Sequence, residues 1–183
     1  MIIAQQKRHE NIAEYLLYMW QVEDMLRACN LDMEVVNRTL VDRYEVNPDA
    51  KQKISDWYES LLLMMRHEGL KDKGHLQIND NLLHQLQELH AMLLKSDKFP
   101  EYTADYYRTL PYIVELRSTM PEQERTDEIE TCFNALYGVL LLKLQGKEIA
   151  TGTLLAISQI SHFLGLLAAY YKKDEERPFF AED

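Results

Sequence analysis

Residues 149–171 read IATGTLLAISQISHFLGLLAAYY, 23 consecutive positions without a charged side chain. A stretch of this length could cross a bilayer as a helix. However, it contains hydroxyl, amide and imidazole side chains, the whole chain has a mean hydropathy of -0.37, and Lys143 interrupts the preceding apolar segment. We therefore predict the central helix of a bundle, apolar on every side because neighbouring helices cover every side. A membrane span is the less favoured alternative.

Small side chains recur along this stretch. Ser158, Ser161, Gly165 and Ala168 follow one another at offsets of three, four and three residues, so they share one face of a helix. Small side chains let a neighbouring backbone approach closely, and we expect another helix of the same chain to pack there. Gly165→Leu would then cost about 1–3 kcal/mol through overpacking. The alternative is the seam of a homodimer, which we expect to use this C-terminal region.

The rest of the chain also repeats its apolar residues with the period of a helix. Asp32 is a good N-cap, and Pro111 removes a backbone hydrogen bond within a helical segment, so we expect a kink or break near Leu110. The predicted helices cover about 4–29, 32–45, 48–68, 79–96, 100–119, 122–146 and 150–173. The sequence thus predicts an all-α fold: a single-domain bundle of six or seven helices over residues 1–173 with a buried apolar C-terminal helix. Residues 174–183 are expected to form a disordered tail.

Composition and charge limit the classes of function. The 183 residues suit one domain, and 20 basic against 30 acidic side chains give a net charge of -10. No stretch has the basic character that nucleic acid or anionic lipid requires. Cys29 and Cys132 lie far apart without a CxxC pattern, so we expect reduced packing residues. The start MIIAQQKRHEN does not resemble a secretory signal, and we expect a cytoplasmic protein.

The sequence contains no common catalytic or cofactor motif. GxGxxG, GxxxxGK[ST], GxSxG, HExxH and EF-hand patterns are all absent, and only six glycines are available for phosphate-binding loops. The Glu-x-x-His pairs of di-iron bundles are missing, because Gln87 stands three residues before His90. We therefore expect no cofactor and no metal.

A few polar or amphipathic residues fall on apolar helix faces. These candidates for a ligand pocket are Trp20, Glu23, Arg27, His90, Arg117 and His162. A buried carboxyl group is costly unless it is paired, so we expect Glu23 to be buried with Arg27 or another donor in reach. The favoured interpretation pairs Glu23 with Arg27 at the surface edge and makes both histidines core residues bonded to a backbone carbonyl or a tyrosine hydroxyl. The alternative is a pocket where Glu23, His90 and His162 converge on a ligand or, less favoured, a metal.

Tyrosines crowd the segment 100–119. Tyr102, Tyr106, Tyr107 and Tyr112 recur there at helical spacing. Tyrosine is enriched at protein interfaces, where its ring is buried and its hydroxyl stays hydrated. This segment is therefore a candidate partner surface.

The segment ENIAEYLLYMWQVEDMLRACNLD (10–32), followed by an all-helical chain of this length, resembles a family of small bacterial proteins described as a domain of unknown function. The resemblance implies a helical cytoplasmic protein and carries no activity, cofactor or assigned residue. We therefore expect a non-catalytic module that binds a protein partner or itself. The alternative is an enzyme or small-ligand binder with a pocket near Glu23, His90 and His162.

Overall fold

The computed structural model describes residues 2–180, and within them the chain is all-helical, with no strand. Its eight α-helices are α1 (Ile2–Glu10), α2 (Ile12–Ala28), α3 (Met33–Thr39), α4 (Pro48–His67), α5 (Gln77–Lys95), α6 (Pro100–Ser118), α7 (Glu128–Leu144) and α8 (Thr151–Glu176). Short 3-10 turns lie at Val41–Arg43 and Glu122–Glu124. The all-α prediction is confirmed, whereas the predicted number of six or seven helices is too low.

The additional helix arises at Asn11, where the first predicted helix is divided. The Asn11 side chain accepts a hydrogen bond from the Ala13 backbone N–H at 3.0 Å, which caps α2 and replaces a helical bond. Asp32 caps α3 as expected, with its carboxyl group bonded to the N–H groups of Glu34 and Val35. α6 continues through Pro111, so of the expected kink or break the break does not occur, and the kink stays a prediction.

The described residues form two compact units. The first contains residues 14–82 and those before Asn11; the second contains 11–13 and the residues from 83 onward. In the first unit α3 packs on α4, and in the second α6, α7 and α8 pack on one another. The single domain over 1–173 stays a prediction.

Helix α8 supplies one side of the core of the second unit. Its buried side chains are Ile160, Phe163, Leu164, Leu167, Ala168 and Tyr171. α8 also continues three residues beyond its predicted end, and the Phe179 ring that follows lies 5.2 Å from the ring of Phe99. Of the predicted disordered tail, residues 181–183 lie outside the described residues.

Candidate functional site

One side of α8 is exposed, contrary to the prediction that neighbours cover every side. Only 28% of its most apolar 18-residue stretch is buried. The exposed side, which we name the outer face, repeats every three or four residues. It consists of the exposed residues Thr151, Leu154, Leu155, Ser158, Ser161, His162 and Ala169 and of half-buried Gly165. A helical wheel detects apolarity on every side but not what covers it, which is why the prediction was wrong.

The outer face includes most of the predicted small stripe. Ser158 and Ser161 are exposed, and a Cβ atom built on Gly165 would meet no neighbouring atom within 4 Å. Of the stripe only Ala168 is buried. The expected packing of another helix of the chain against this stripe is therefore wrong, while the overpacking expected for Gly165→Leu stays a prediction.

Two exposed leucines give the outer face its apolar area. Leu154 is 41% exposed and Leu155 is 63% exposed. Beside them, α6 and α8 enclose an apolar groove of about 410 Å³, whose lining includes Tyr112, Leu116 and Ile157. Exposed apolar area that adjoins a groove is typical of interaction sites.

The predicted tyrosine surface on α6 does not form as a whole. Tyr102 is completely buried and Tyr106 is 8% exposed, whereas Tyr107 is 63% exposed and Tyr112 is half-buried. Helical spacing places the first two tyrosines toward the core of the second unit, where their rings contact Phe163. Tyr102 and Tyr106 are therefore core residues, and a partner surface on this helix stays a prediction for Tyr107 and Tyr112.

In the first unit, Glu23 is completely buried, as its helical phase predicts. Its carboxyl oxygens accept hydrogen bonds from the backbone N–H of Leu76 at 3.0 Å and from the Asn79 amide at 2.7 Å. The Nδ1 atom of His75 lies 2.6 Å from the same carboxyl group. These groups come from the loop before α5 and from its first turn, so Glu23 ties α2 to the start of α5.

Arg27 does not pair with Glu23, contrary to the favoured sequence interpretation. Its guanidinium contacts the Asp24 carboxyl group at 2.7 Å and donates to the backbone carbonyl groups of Leu70 and Gly74. The loop that supplies donors to Glu23 thus also supplies acceptors to Arg27. Such tertiary partners cannot be read from spacing along one helix.

His75 was missed by the sequence reasoning because it lies in the polar loop KDKGH (71–75), outside any periodic pattern. Its ring stacks on the indole of Trp20, with centroids 4.1 Å apart and planes 13° apart. The side chain is 29% exposed, and among the described residues its Nε2 atom has no hydrogen-bond partner. A carboxyl group that holds one ring nitrogen leaves the other free to contact a ligand.

In the second unit, His90 is 8% exposed, and its Nδ1 atom lies 2.7 Å from the Tyr102 hydroxyl. This arrangement matches a core histidine bonded to tyrosine. Burial lowers the pKa of His90 from its ordinary value, although Glu128 opposes this effect. Neutral His90 is thus favoured over the protonated form near neutral pH.

Glu128 brings three of the candidate residues together. Its carboxyl group accepts a hydrogen bond from the Tyr106 hydroxyl at 2.7 Å, and it lies 3.9 Å from both Arg117 Nη1 and His90 Nε2. Burial, followed by the bond to Glu128, raises the pKa of Tyr106. The cluster thus combines an acceptor, a cation and a neutral imidazole. It connects the start of α7 to α5 and α6.

His162 is not a core residue, contrary to the favoured interpretation. Its side chain is 67% exposed on the outer face, and Nε2 lies 3.6 Å from Oδ1 of Asp105. Asp105 is buried, and the same oxygen also accepts bonds from Arg108 at 2.9 Å and Gln159 at 3.3 Å. Asp105 was missed because a single acidic residue on a helix carries no recognisable motif.

The three residues of the alternative ligand pocket are distributed over both units. Glu23 belongs to the first unit, while His90 and His162 belong to the second, where His90 contacts the Tyr102 hydroxyl and His162 contacts Asp105. Within the described part of the chain, no three His, Cys, Asp or Glu side chains are grouped as a metal ion requires. Thr151–Glu176 is the one described helix long and apolar enough to span a membrane, by length and composition only.

Comparisons with known proteins give one family. The model of a family described as Domain of unknown function (DUF4924) matches residues 1–177. No curated protein and no solved structure matches the chain.

Proposed function

The chain belongs to the DUF4924 family of unknown function, and we propose that it is a non-catalytic interaction module that self-associates through the outer face of α8. The single observation that supports this proposal is an apolar helix with only 28% of its most apolar stretch buried. The exposed parts of Leu154 and Leu155 together equal about one leucine side chain. Covering them would contribute about 1.5–3 kcal/mol per copy.

A protein partner fits α8 better than a bilayer. The opposite side of α8 is in the core, where Phe163 and Leu167 are completely buried and the Phe163 ring packs against His90 and Tyr102. Insertion into a membrane would withdraw these side chains from the core. Docking through the outer face leaves the core intact.

Sedimentation velocity over a range of concentrations tests this proposal. Leu155→Glu should weaken association at least tenfold, because a carboxyl group would be desolvated at the interface. The matched control is Leu63→Glu, since Leu63 is a similarly exposed leucine, at 54%, on α4. A wild-type chain that stays monomeric at all concentrations, or equal effects of the two variants, would refute the proposal. Flotation with lipid vesicles, by contrast, would support the membrane alternative.

The Glu23–His75 pair favours a second candidate function, an enzyme or small-ligand binder. Its distinguishing property would be unusual reactivity of His75 Nε2, because Glu23 fixes Nδ1. Diethyl pyrocarbonate modification, followed by mass spectrometry, compares His75 with exposed His84 in the same molecule. Modification of His75 that is no faster than that of His84 would mean that the pair is structural.

A further inference from the structure

We propose that the partner is a second copy of this chain and that the two α8 helices pair antiparallel, with a two-fold axis between Ser161 and His162. This inference rests on the proposed function, because it specifies the partner and orientation at the same outer face. It follows from how charge and side-chain size are distributed along that face.

The charge distribution permits a second copy at this face and favours the antiparallel orientation. The chain carries a net charge of -10, so most of its surface would repel another copy, whereas residues 149–171 contain no charged side chain. Lys172 and Lys173 follow directly at one end of this stretch. Parallel pairing would place these lysines beside those of the partner. Antiparallel pairing moves them to opposite ends of the seam and also opposes the two helix dipoles.

Side-chain size favours the same orientation. The outer face has large side chains in its N-terminal half, at Leu154 and Leu155, and small ones in its C-terminal half, at Gly165 and Ala169. Antiparallel pairing about the proposed axis places Leu154 opposite the partner's Ala169. Parallel pairing would instead place leucines against leucines and leave a gap at the small residues.

The open space at Gly165 permits close approach. Apart from its chain neighbours and the nearby backbone of its own helix, no atom lies within 4 Å of the position that a Gly165 Cβ would occupy, so a partner backbone can come near. The axis places Ser158 of one copy opposite the partner's Gly165. It also places the Ser161 hydroxyl opposite the partner's His162, so the two polar side chains nearest the axis can form a hydrogen bond.

The small contact area of the two helices predicts weak association. Residues 151–172 form a helix about 33 Å long and about 11 Å wide, and their contact would cover about 360 Å² per copy. Stable complexes usually bury about 800 Å² per partner. We therefore expect dissociation in the micromolar range, strengthened by apolar side chains of the neighbouring α6–α8 groove.

Cysteine cross-linking distinguishes the two orientations. Substitutions are made at exposed positions of the full chain, and the native Cys29 and Cys132 are buried, at 6% and 0% exposure. Ser161→Cys should form a disulfide-linked dimer under mild oxidation, because the axis brings its two copies together. Leu154→Cys alone should cross-link at least tenfold more slowly, since the two positions would lie about 22 Å apart. Mixing Leu154→Cys with Ala169→Cys should restore fast cross-linking.

The other outcomes distinguish failure of the antiparallel orientation from failure of the proposed function. Fast cross-linking of Leu154→Cys with itself would show parallel pairing, which refutes the inference but leaves self-association through α8 intact. Dimers in sedimentation without cross-linking at any of these positions would place the interface elsewhere and refute both. Monomers in sedimentation would also refute both.

Discussion

Glu23→Ala should destabilise the first unit strongly, because it removes the acceptor for buried donors. The backbone N–H of Leu76 and the amide of Asn79 are both completely buried and both bond to Glu23. An unsatisfied buried donor costs about 1–3 kcal/mol. His75 is 29% exposed and can turn to water, so it adds little. We therefore expect a loss of about 3–5 kcal/mol in the free energy of unfolding, the usual range for breaking a buried pair.

Urea denaturation followed by tryptophan fluorescence measures this loss. The chain has two tryptophans, and Trp57→Phe leaves Trp20, whose indole stacks on His75 and therefore reports on the first unit. Glu14→Ala is the matched control on the same helix. Glu14 is 60% exposed and pairs with Lys7 at the surface, so its loss should cost less than about 1 kcal/mol.

Equal shifts of the denaturation midpoint by Glu23→Ala and Glu14→Ala would refute the reasoning.

Glu23→Gln separates the effect of the charge from that of the hydrogen bonds. It retains one acceptor oxygen for Leu76 and Asn79, so we expect a cost of about 1 kcal/mol. A loss as large as that of Glu23→Ala would show that the charge, rather than the acceptor, stabilises the loop.

Three further outcomes are expected. Gly165→Ala should raise the free energy of unfolding by about 0.5–1 kcal/mol in urea titrations of dilute protein. The space for its Cβ is open, and glycine disfavours a helix. A lower free energy of unfolding would indicate a clash. Burial lowers the pKa of folded His90 below 6.5, so the unfolded chain takes up a proton at a higher pH than the folded chain does. The free energy of unfolding should therefore be at its full value above pH 6.5 and decline as the pH falls toward the folded pKa. His90→Gln should flatten this part of the pH profile in thermal melts, and an unchanged slope would exclude His90 as its cause. Burial raises the pKa of Cys132 to about 12, so a thiol reagent should label it only after denaturation, and rapid labelling of native protein would contradict its burial.

Much of the fold could be predicted because helix ends have local chemical causes. The segment predicted as 48–68 is α4, Pro48–His67, where Asn47 caps the helix and proline occupies its first turn. The division at Asn11 was missed, since its side-chain cap interrupts an otherwise continuous apolar pattern. The end of a helix can be predicted where the capping residue coincides with a break in the apolar pattern, as at Asn47. It is missed where the apolar pattern continues through the cap, as at Asn11.

The candidate sites were less predictable because their partners are distant in sequence. Glu23 was correctly predicted to be buried, but its partner His75 lies 52 residues away in a loop. The outer face of α8 was predicted to be covered, since a core helix and an interface helix have the same composition. Only the exposed fractions of residues such as Leu155 distinguish the two cases.

Hydrogen–deuterium exchange at low and high protein concentration tests the proposed role of α8 most directly. Amides of its N-terminal half lie next to exposed side chains and should exchange readily in the monomer. Raising the concentration from about 1 µM to about 200 µM should slow exchange in peptides that cover residues 151–166, while peptides of α4 stay unchanged. Unchanged exchange over 151–166, or protection that appears only elsewhere, would contradict self-association through the outer face.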